Sequence, residues 1–332
     1  MATIRDVAKE AGLSTGTVSK ALSTPEKVSA KNRLKVEAAI KKLKYKPNLL
    51  ARRFRSSRAN TIVVMVPDIA NLFFAKLISG IENVAQQAGF NVLLGDTKDT
   101  FEREEAFVRM VETRLADGLI NLRPSRSCEP LLAREGVLSV TASSCENTPG
   151  VSVRIDNAAA AEKAVSYLVK LGHRRIGLVT GLKDNPHTAD RQKGYCQALQ
   201  AAGIEFDPAL VIEGDFNFWS GISAAEQFSQ LADRPTAVFC MSDEMAIAAI
   251  KGFADRGLKV PEDVSVIGFD DMEVARYVTP TLTTIAQPAE KIGERAASLL
   301  IEQINGHTPA IREHVLPYEF IIRDSVGPVN RI

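Results

Sequence analysis

The chain has 332 residues, 45% hydrophobic and 24% charged, an ordinary globular composition that argues against a disordered or fibrous protein. It has no run of about 18 apolar residues, so we expect no membrane span, and its first residues lack a secretory apolar stretch, so we expect a cytoplasmic protein. The four cysteines and four histidines show no metal-ligand spacing, which predicts reduced thiols and neither a metal nor another cofactor.

The net charge of +1 conceals an uneven distribution of charge along the chain. Residues 1–60 contain 15 Lys and Arg but only 4 Asp and Glu, whereas the remaining residues contain 26 and 36. A basic N-terminal segment ahead of an acidic body suggests that the first part meets a polyanion.

Residues 1–46 have the pattern of three short helices. Thr3 can cap the first, Ser14 the second and Ser29 the third, and Gly12 suits the end of the first because glycine tolerates a positive φ. Two short helices joined at a glycine, with a third that completes a small core, describe a helix-turn-helix, which places its second helix in the DNA major groove. The outward residues of that helix are small or polar: Thr15, Gly16, Thr17, Ser19 and Lys20.

The runs TIRDVAKEAGLSTGTVSKAL and VSAKNRLKVEAAIKKLKYKPNLLARRF resemble the headpiece of the LacI/GalR family of bacterial repressors. The resemblance implies that Thr15, Gly16 and Lys20 read bases. Lys20 stands where arginine is commoner; it can still donate to guanine but lacks the planar fork. Other positions match phosphate contacts, which orient a protein without reading sequence. They are Ser14, Thr17, Ser19, Ser29, Asn32 and Tyr45.

Residues 47–60 form a second basic segment that, by its residues alone, could be a plain linker. By resemblance it is the family's hinge helix, which orders on DNA and enters the minor groove. Ala51 and Arg52 match the family motif, and Phe54 stands where a leucine wedge is usual. An apolar wedge separates the two base pairs of a step and bends the duplex. Because Phe54 replaces the usual leucine, the base step preferred at the centre of the operator is not predicted.

From Thr61 onward, apolar strand-like runs alternate with amphipathic helical segments. The runs span 61–67, 90–96, 117–121, 174–181, 235–243 and 264–271. Short β-rich runs separated by helices predict parallel sheets in a doubly wound α/β fold. About 270 residues is large for one such sheet, so we expect two lobes with a ligand at the carboxyl ends of their strands. The first lobe would comprise 61–157 plus 288–316, and the second 158–287 plus 317–332.

Polar and aromatic residues at these strand ends are the candidates for an effector site. An aromatic residue there could equally pack in the core, and an aspartate such as Asp243 could cap a helix. The candidates are Asp68, Asn71, Phe73, Phe74, Arg191, Phe216, Ser242, Asp243 and Asp270.

The segments HRRIGLVTG, AVFCMSDEMAIAAI, VPEDVSVIGFDD and TPTLTTIAQP resemble the periplasmic-binding-protein-like core of the same family. The resemblance implies that Arg191 and Asp270 grip effector hydroxyls and that Phe73, Phe74 and Phe216 pack on its ring. An Arg–Asp pair suits a vicinal diol because it offers donors and acceptors together. Segments such as GDFNF look most like nucleoside-responsive members, which implies an effector such as cytidine, with a sugar or sugar acid as the alternative.

These patterns predict a sequence-specific DNA-binding transcriptional repressor that is controlled by a small effector. No leucine heptad tail follows residues 316–323, and family tetramers use such a tail, so we expect a homodimer on a palindromic operator. The rivals are an enzyme and an exported sugar-binding protein. An enzyme is disfavoured because GxGxxG and GxxxxGK[ST] are absent. No GxSxG elbow appears either, since the one GxSxG match, residues 12–16, lies between two predicted helices and not after a strand. An exported sugar-binding protein is disfavoured because it would not need a basic headpiece. The sequence does not predict the operator sequence, whether the effector releases or promotes DNA binding, or whether a second regulator binds at the same site.

Overall fold

The computed structural model describes residues 2–23, 25–45, 58–123 and 128–329. The chain divides into two compact units, Met1–Arg58 and Ala59–Ile332. The predictions for Ala51, Arg52 and Phe54, and most of the predicted hinge helix, lie outside the described residues. No helix in the described ranges is long and apolar enough to cross a membrane.

The described part of the N-terminal unit is the predicted helix-turn-helix with a third supporting helix. Its helices are α1 Ile4–Ala11, α2 Thr15–Ser23 and α3 Ala30–Leu43. Thr3 caps α1 through a reciprocal box with Asp6, whose carboxylate accepts the Thr3 amide at 2.8 Å. Gly12 ends α1 with φ 65°, as predicted. Val7, Val18 and Val36 form the centre of the core that joins the three helices.

The first sheet of the larger unit is parallel throughout. Its strands are β1 Thr61–Val66, β2 Asn91–Asp96, β3 Gly118–Asn121, β4 Ser139–Ala142, β5 Val151–Arg154 and β11 Glu313–Val315. They lie in the order β11-β5-β4-β3-β1-β2. The associated helices are α4 Leu72–Gln87, α5 Phe101–Glu112, α6 Glu129–Leu132 and α11 Ala289–Ile304.

The second sheet has the same number of strands among the described residues. They are β6 Ile176–Val179, β7 Val211–Ile212, β8 Ala237–Cys240, β9 Ser265–Asp270, β10 Thr283–Ala286 and β12 Glu319–Ile321. Their order is β12-β10-β9-β8-β6-β7, and only the edge strand β12 runs antiparallel in it. Its helices are α7 Asn157–Lys170, α8 Pro186–Ala201, α9 Phe218–Gln230 and α10 Asp243–Ala254. The predicted two-lobed α/β core with parallel sheets is confirmed.

The chain passes repeatedly between the two lobes. It enters the second sheet after β5, returns through α11 and β11 to the first, and ends its ordered strands with β12 in the second. Helix α11 packs closely on α4, where a Cβ on Gly80 would lie 2.2 Å from the Glu290 carbonyl oxygen and one on Gly293 the same distance from that of Leu77. These crossings bring the carboxyl ends of both sets of parallel strands to one cleft.

Candidate DNA interface and effector cavity

The exposed face of α2 is the candidate DNA-reading surface of the N-terminal unit. Thr15, Gly16 and Lys20 are exposed on it. A Cβ on Gly16 would meet only the Ser14 Oγ, at an ordinary 3.7 Å. Internal packing therefore does not require a glycine at this position, which fits a backbone that approaches an outside partner closely.

The predicted phosphate-contacting residues lie around the starts of α2 and α3. Ser14 caps α2, accepting the Thr17 amide at 3.1 Å and lying 2.9 Å from the Thr17 hydroxyl. Ser29 caps α3 by accepting the Asn32 amide at 3.4 Å. Ser19 is half-buried in α2, and Tyr45 packs against the small core just after α3. The two helix starts therefore place hydroxyls beside the first amides of each helix, a combination suited to phosphate.

A cavity of about 270 Å³ lies at the carboxyl ends of the strands of both sheets. The first lobe lines it with Pro67, Asp68, Asn71, Phe73, Phe74, Asp99, Arg123 and Ser143. The second lobe lines it with Leu182, Asn185, His187, Arg191, Asp215, Phe216, Asn217, Ser242 and Asp270. Because both lobes contribute, a bound molecule would contact each of them.

The structure brings together eight of the nine predicted effector residues, and the exception is Asp243. Asp243 is fully buried beneath the cavity, where its carboxylate accepts the Met272 amide at 2.7 Å and the Thr284 hydroxyl at 2.5 Å. Nor does it cap α10, because Ser242 does so by accepting the Met245 amide at 3.3 Å. Asp243 thus joins α10 to the second sheet instead of facing the cavity.

Arg191 is buried and held on several sides. Its Nε donates to Asn157 Oδ1 at 3.1 Å, and one terminal nitrogen donates to the Met241 carbonyl. The guanidinium carbon lies 3.6 Å from the centre of the Phe269 ring, a cation–π stack. The other terminal nitrogen is 4.0 Å from Asp270 Oδ1, too far for a hydrogen bond. A ligand hydroxyl between them could accept from Arg191 and donate to Asp270.

Asp270 is the acidic partner at this end of the cavity. Its Oδ1 accepts from Gln287 Nε2 at 2.7 Å. Burial raises the pKa of Asp270, and the positive charge of Arg191 acts in the opposite direction. The neighbouring Asp271 points elsewhere, toward Arg323 and Arg276. Of the two adjacent aspartates, Asp270 is therefore the one that lines the cavity beside Arg191.

An uncharged polar wall completes the cavity beside Arg191. His187 Nδ1 lies 3.2 Å from Cys145 Sγ, across the boundary between the lobes. Burial lowers the pKa of His187 to about 3, and the charges of Arg191 and Arg123 add to that effect. Burial also raises the pKa of the Cys145 thiol. Both groups are neutral near pH 7.

Several lining residues were not among the sequence candidates. Asp99, Arg123 and Ser143 follow β2, β3 and β4, and Arg123 forms an ion pair with Asp99 at 2.5 Å. Pro67 follows β1. The others follow β6 and β7, and they are Leu182, Asn185, His187, Asp215 and Asn217. The rule that found Asp68 and Asp270, a polar residue just past a strand, would also have found most of these.

Comparison with known proteins relates the two units to described families. Residues 3–48 match the family of bacterial regulatory proteins, lacI family, and residues 165–326 match the periplasmic binding protein-like domain. The chain is 40% identical to the HTH-type transcriptional repressor CytR of Escherichia coli (strain K12), over 98% of this chain and 96% of that protein.

Two solved structures show the same likeness. The Lac repressor dimer bound to operator and the anti-inducer ONPF superposes with a TM-score of 0.90 at 28% identity, over 98% of this chain and 99% of that one. A complex of the transcriptional regulator CelR with cellobiose gives a TM-score of 0.74 at 32% identity, over 98% and 100%.

Proposed function

The chain belongs to the LacI family of bacterial transcriptional regulators, and from that premise we propose that it represses transcription from a palindromic operator, which it binds as a homodimer in the cytoplasm. A nucleoside such as cytidine, bound in the effector cavity, controls its affinity for the operator. The family consists of regulators and not of enzymes.

In this proposal the N-terminal unit reads DNA. Thr15, Gly16 and Lys20 meet base edges in the major groove, while Ala51 and Arg52 enter the minor groove and Phe54 opens a base step. The exposure of α2 and the absence of any packing need for Gly16 support the first part. The minor-groove part rests on the family resemblance.

A diol-bearing effector is supported chiefly by Arg191 and Asp270. They are buried, and their 4.0 Å separation suits a bridging hydroxyl. Phe73, Phe74 and Phe216 line the same cavity and offer flat faces to a nucleobase. The same Arg–Asp pair would also grip a sugar, and the relative CelR is known bound to cellobiose, so a sugar is the second candidate.

We assign the domains as 1–46, 47–60, 61–157 plus 288–316, and 158–287 plus 317–332. The place of β11 in the first sheet and β12 in the second supports the division near residue 316. Effector binding closes the lobes of the core and, in the dimer, changes the ordering of residues 47–56. The coupling is reciprocal, so operator binding alters effector affinity by the same factor.

Calorimetry and thermal unfolding with cytidine, adenosine, ribose and cellobiose test the choice of effector. A specific ligand should stabilise the protein by about 2.7 kcal/mol at a hundredfold excess over its Kd, and it should shift operator binding measured by fluorescence anisotropy. A response to cytidine supports the nucleoside proposal. A response to ribose or cellobiose alone contradicts it while leaving the repressor role intact.

A further inference from the structure

Gly181, a buried glycine beside the cavity, is the focus of one further inference. We infer that Gly181 sets the ligand specificity of the cavity. Because Gly181 has no side chain, the Phe216 ring packs directly against its backbone, and this leaves space in the cavity for a flat heterocycle. The inference deepens the proposed function and rests on it, because it takes the cavity to be the effector site.

The contact between Gly181 and Phe216 leaves no room for any side chain. Gly181 comes two residues after β6 and is buried. A Cβ on it would lie 1.9 Å from Cζ of Phe216, 2.1 Å from Cε2 and 2.6 Å from Cε1. Carbon atoms in contact stay about 3.5–4.0 Å apart, so even a methyl group would displace the tip of the ring by about 1.5 Å or more.

The ring has little freedom to retreat away from the cavity, because the loop that carries it is packed against the same strand end. A Cβ on Gly214 would lie 2.5 Å from the Thr180 carbonyl oxygen, so the loop and the strand end touch through their backbones. The Phe216 carbonyl also accepts from Ser242 Oγ at 3.5 Å. Since Phe216 lines the cavity, a ring pushed off Gly181 moves into the space that a ligand would fill.

A displaced Phe216 ring should affect the binding of a nucleoside and of a small sugar differently. Phe216 comes from the second lobe, while Phe73 and Phe74 come from the first, with their ring centres 5.4 Å apart in an edge-to-face pair. A nucleobase requires the space beside these rings, whereas the hydroxyls of a small sugar require only Arg191 and Asp270. A displaced Phe216 therefore selects against a nucleoside more than against its sugar alone.

A double-mutant cycle on the full-length protein tests this dependence, with cytidine and ribose as calorimetric probes. Gly181→Ala should weaken cytidine binding at least tenfold, which corresponds to about 1.4 kcal/mol, and should weaken ribose binding less. Phe216→Leu alone should weaken cytidine binding about fivefold through loss of the aromatic face. The double variant should bind within twofold of Phe216→Leu, because the smaller side chain removes the clash.

Gly327→Ala is the matched control, since a Cβ there meets only ordinary 3.5 Å contacts with Pro261. It should bind cytidine and operator DNA as the unmodified protein does. Unchanged cytidine binding in Gly181→Ala overturns the inference. Losses that simply multiply in the double variant also overturn it, because Gly181 would then act independently of Phe216.

A fluorine label separates this inference from the proposed function. With 4-fluorophenylalanine at position 216, the ligand-free ¹⁹F signal should move when Gly181 becomes Ala and stay in place when Gly327 does. An unmoved signal overturns the role of Gly181 whichever ligand the protein binds. If the unmodified protein does not bind cytidine but the signal moves, the proposed effector is wrong while the control of the ring by Gly181 is supported.

Discussion

Arg191 and the two aspartates near it show how burial divides similar residues between binding and structure. Asp270 and Asp243 are both buried near the carboxyl end of the second sheet. Asp243 is satisfied by a backbone amide and a hydroxyl, whereas Asp270 has one amide partner and faces Arg191 across a gap. A buried polar group with unused hydrogen-bonding capacity is the one that gains from a ligand.

Replacing each aspartate should therefore have opposite consequences. Asp270→Ala should weaken effector binding by about 1–3 kcal/mol, the cost of leaving a buried polar group without its partner, and abolish the effector response of operator binding. Asp243→Asn should lower the free energy of unfolding but preserve that response. Calorimetry and operator titrations with and without effector measure both. An Asp270→Ala protein with a full effector response would remove the cavity assignment.

The same contrast explains which site residues could be predicted from the sequence. Asp68 and Asp270 follow apolar runs that are visible without a structure. Asp243 also follows such a run, but its partners Met272 and Thr284 lie 29 and 41 residues away in the chain. The sequence predicts that a residue lies at a strand end. Only the fold shows whether the side chain of that residue already hydrogen-bonds to a residue distant in the chain.

At the level of helices and strands, local signals predicted the N-terminal unit well and several strands of the two sheets poorly. The caps of α1, α2 and α3 each lie within three residues of the amides they bind, so they were readable in sequence. Strand β5 was not predicted, because it contains Arg154, which pairs with Glu313 at 2.6 Å on β11. Strand β10 was not predicted because its threonines interrupt the apolar pattern. The Thr283 hydroxyl donates to the carbonyl oxygen of Arg323, which is distant in the chain.

Two glycines of the helix-turn-helix should respond differently to alanine. Gly12→Ala should cost about 1 kcal/mol of stability, because φ 65° strains any residue with a Cβ. Gly16→Ala should stabilise α2 by about 0.5–1 kcal/mol and yet weaken operator binding, if the backbone there approaches DNA. Thermal unfolding and anisotropy with operator DNA measure the two effects. Full operator affinity in Gly16→Ala would contradict the close approach.

Across the whole core, the lobes are joined by polar contacts on both sides of the cavity. On one side His187 meets Cys145. On the other, Lys76 of α4 donates to the Asp271 carbonyl at 3.1 Å, and the Leu72 amide hydrogen-bonds to Glu244 at the start of α10. Since burial lowers the pKa of His187 and raises that of Glu244, the contact between the lobes should depend on pH.

Glu244 gives this dependence a definite sign. It is buried, and burial raises its pKa from 4.5 to about 7, with the charges of Asp68, Asp215 and Asp243 adding to the shift. The folded protein therefore holds a proton on Glu244 that the unfolded chain releases above pH 4.5. The stabilisation is fully present below that pH and is lost as the pH rises through about 7. His187, whose pKa is lowered, acts in the opposite direction, losing stability as the pH falls below its ordinary value of 6.5.

Glu244→Gln separates these two contributions, because glutamine keeps the acceptor for Leu72 but cannot ionise, while His187 is common to both proteins. Between pH 5 and pH 8 the free energy of unfolding of the unmodified protein should fall relative to the variant, by an amount on the order of 2 kcal/mol. Urea unfolding of both proteins at several pH values measures the difference. Parallel curves would mean that Glu244 ionises normally in the fold, and the pH dependence of the contact between the lobes would then belong to His187.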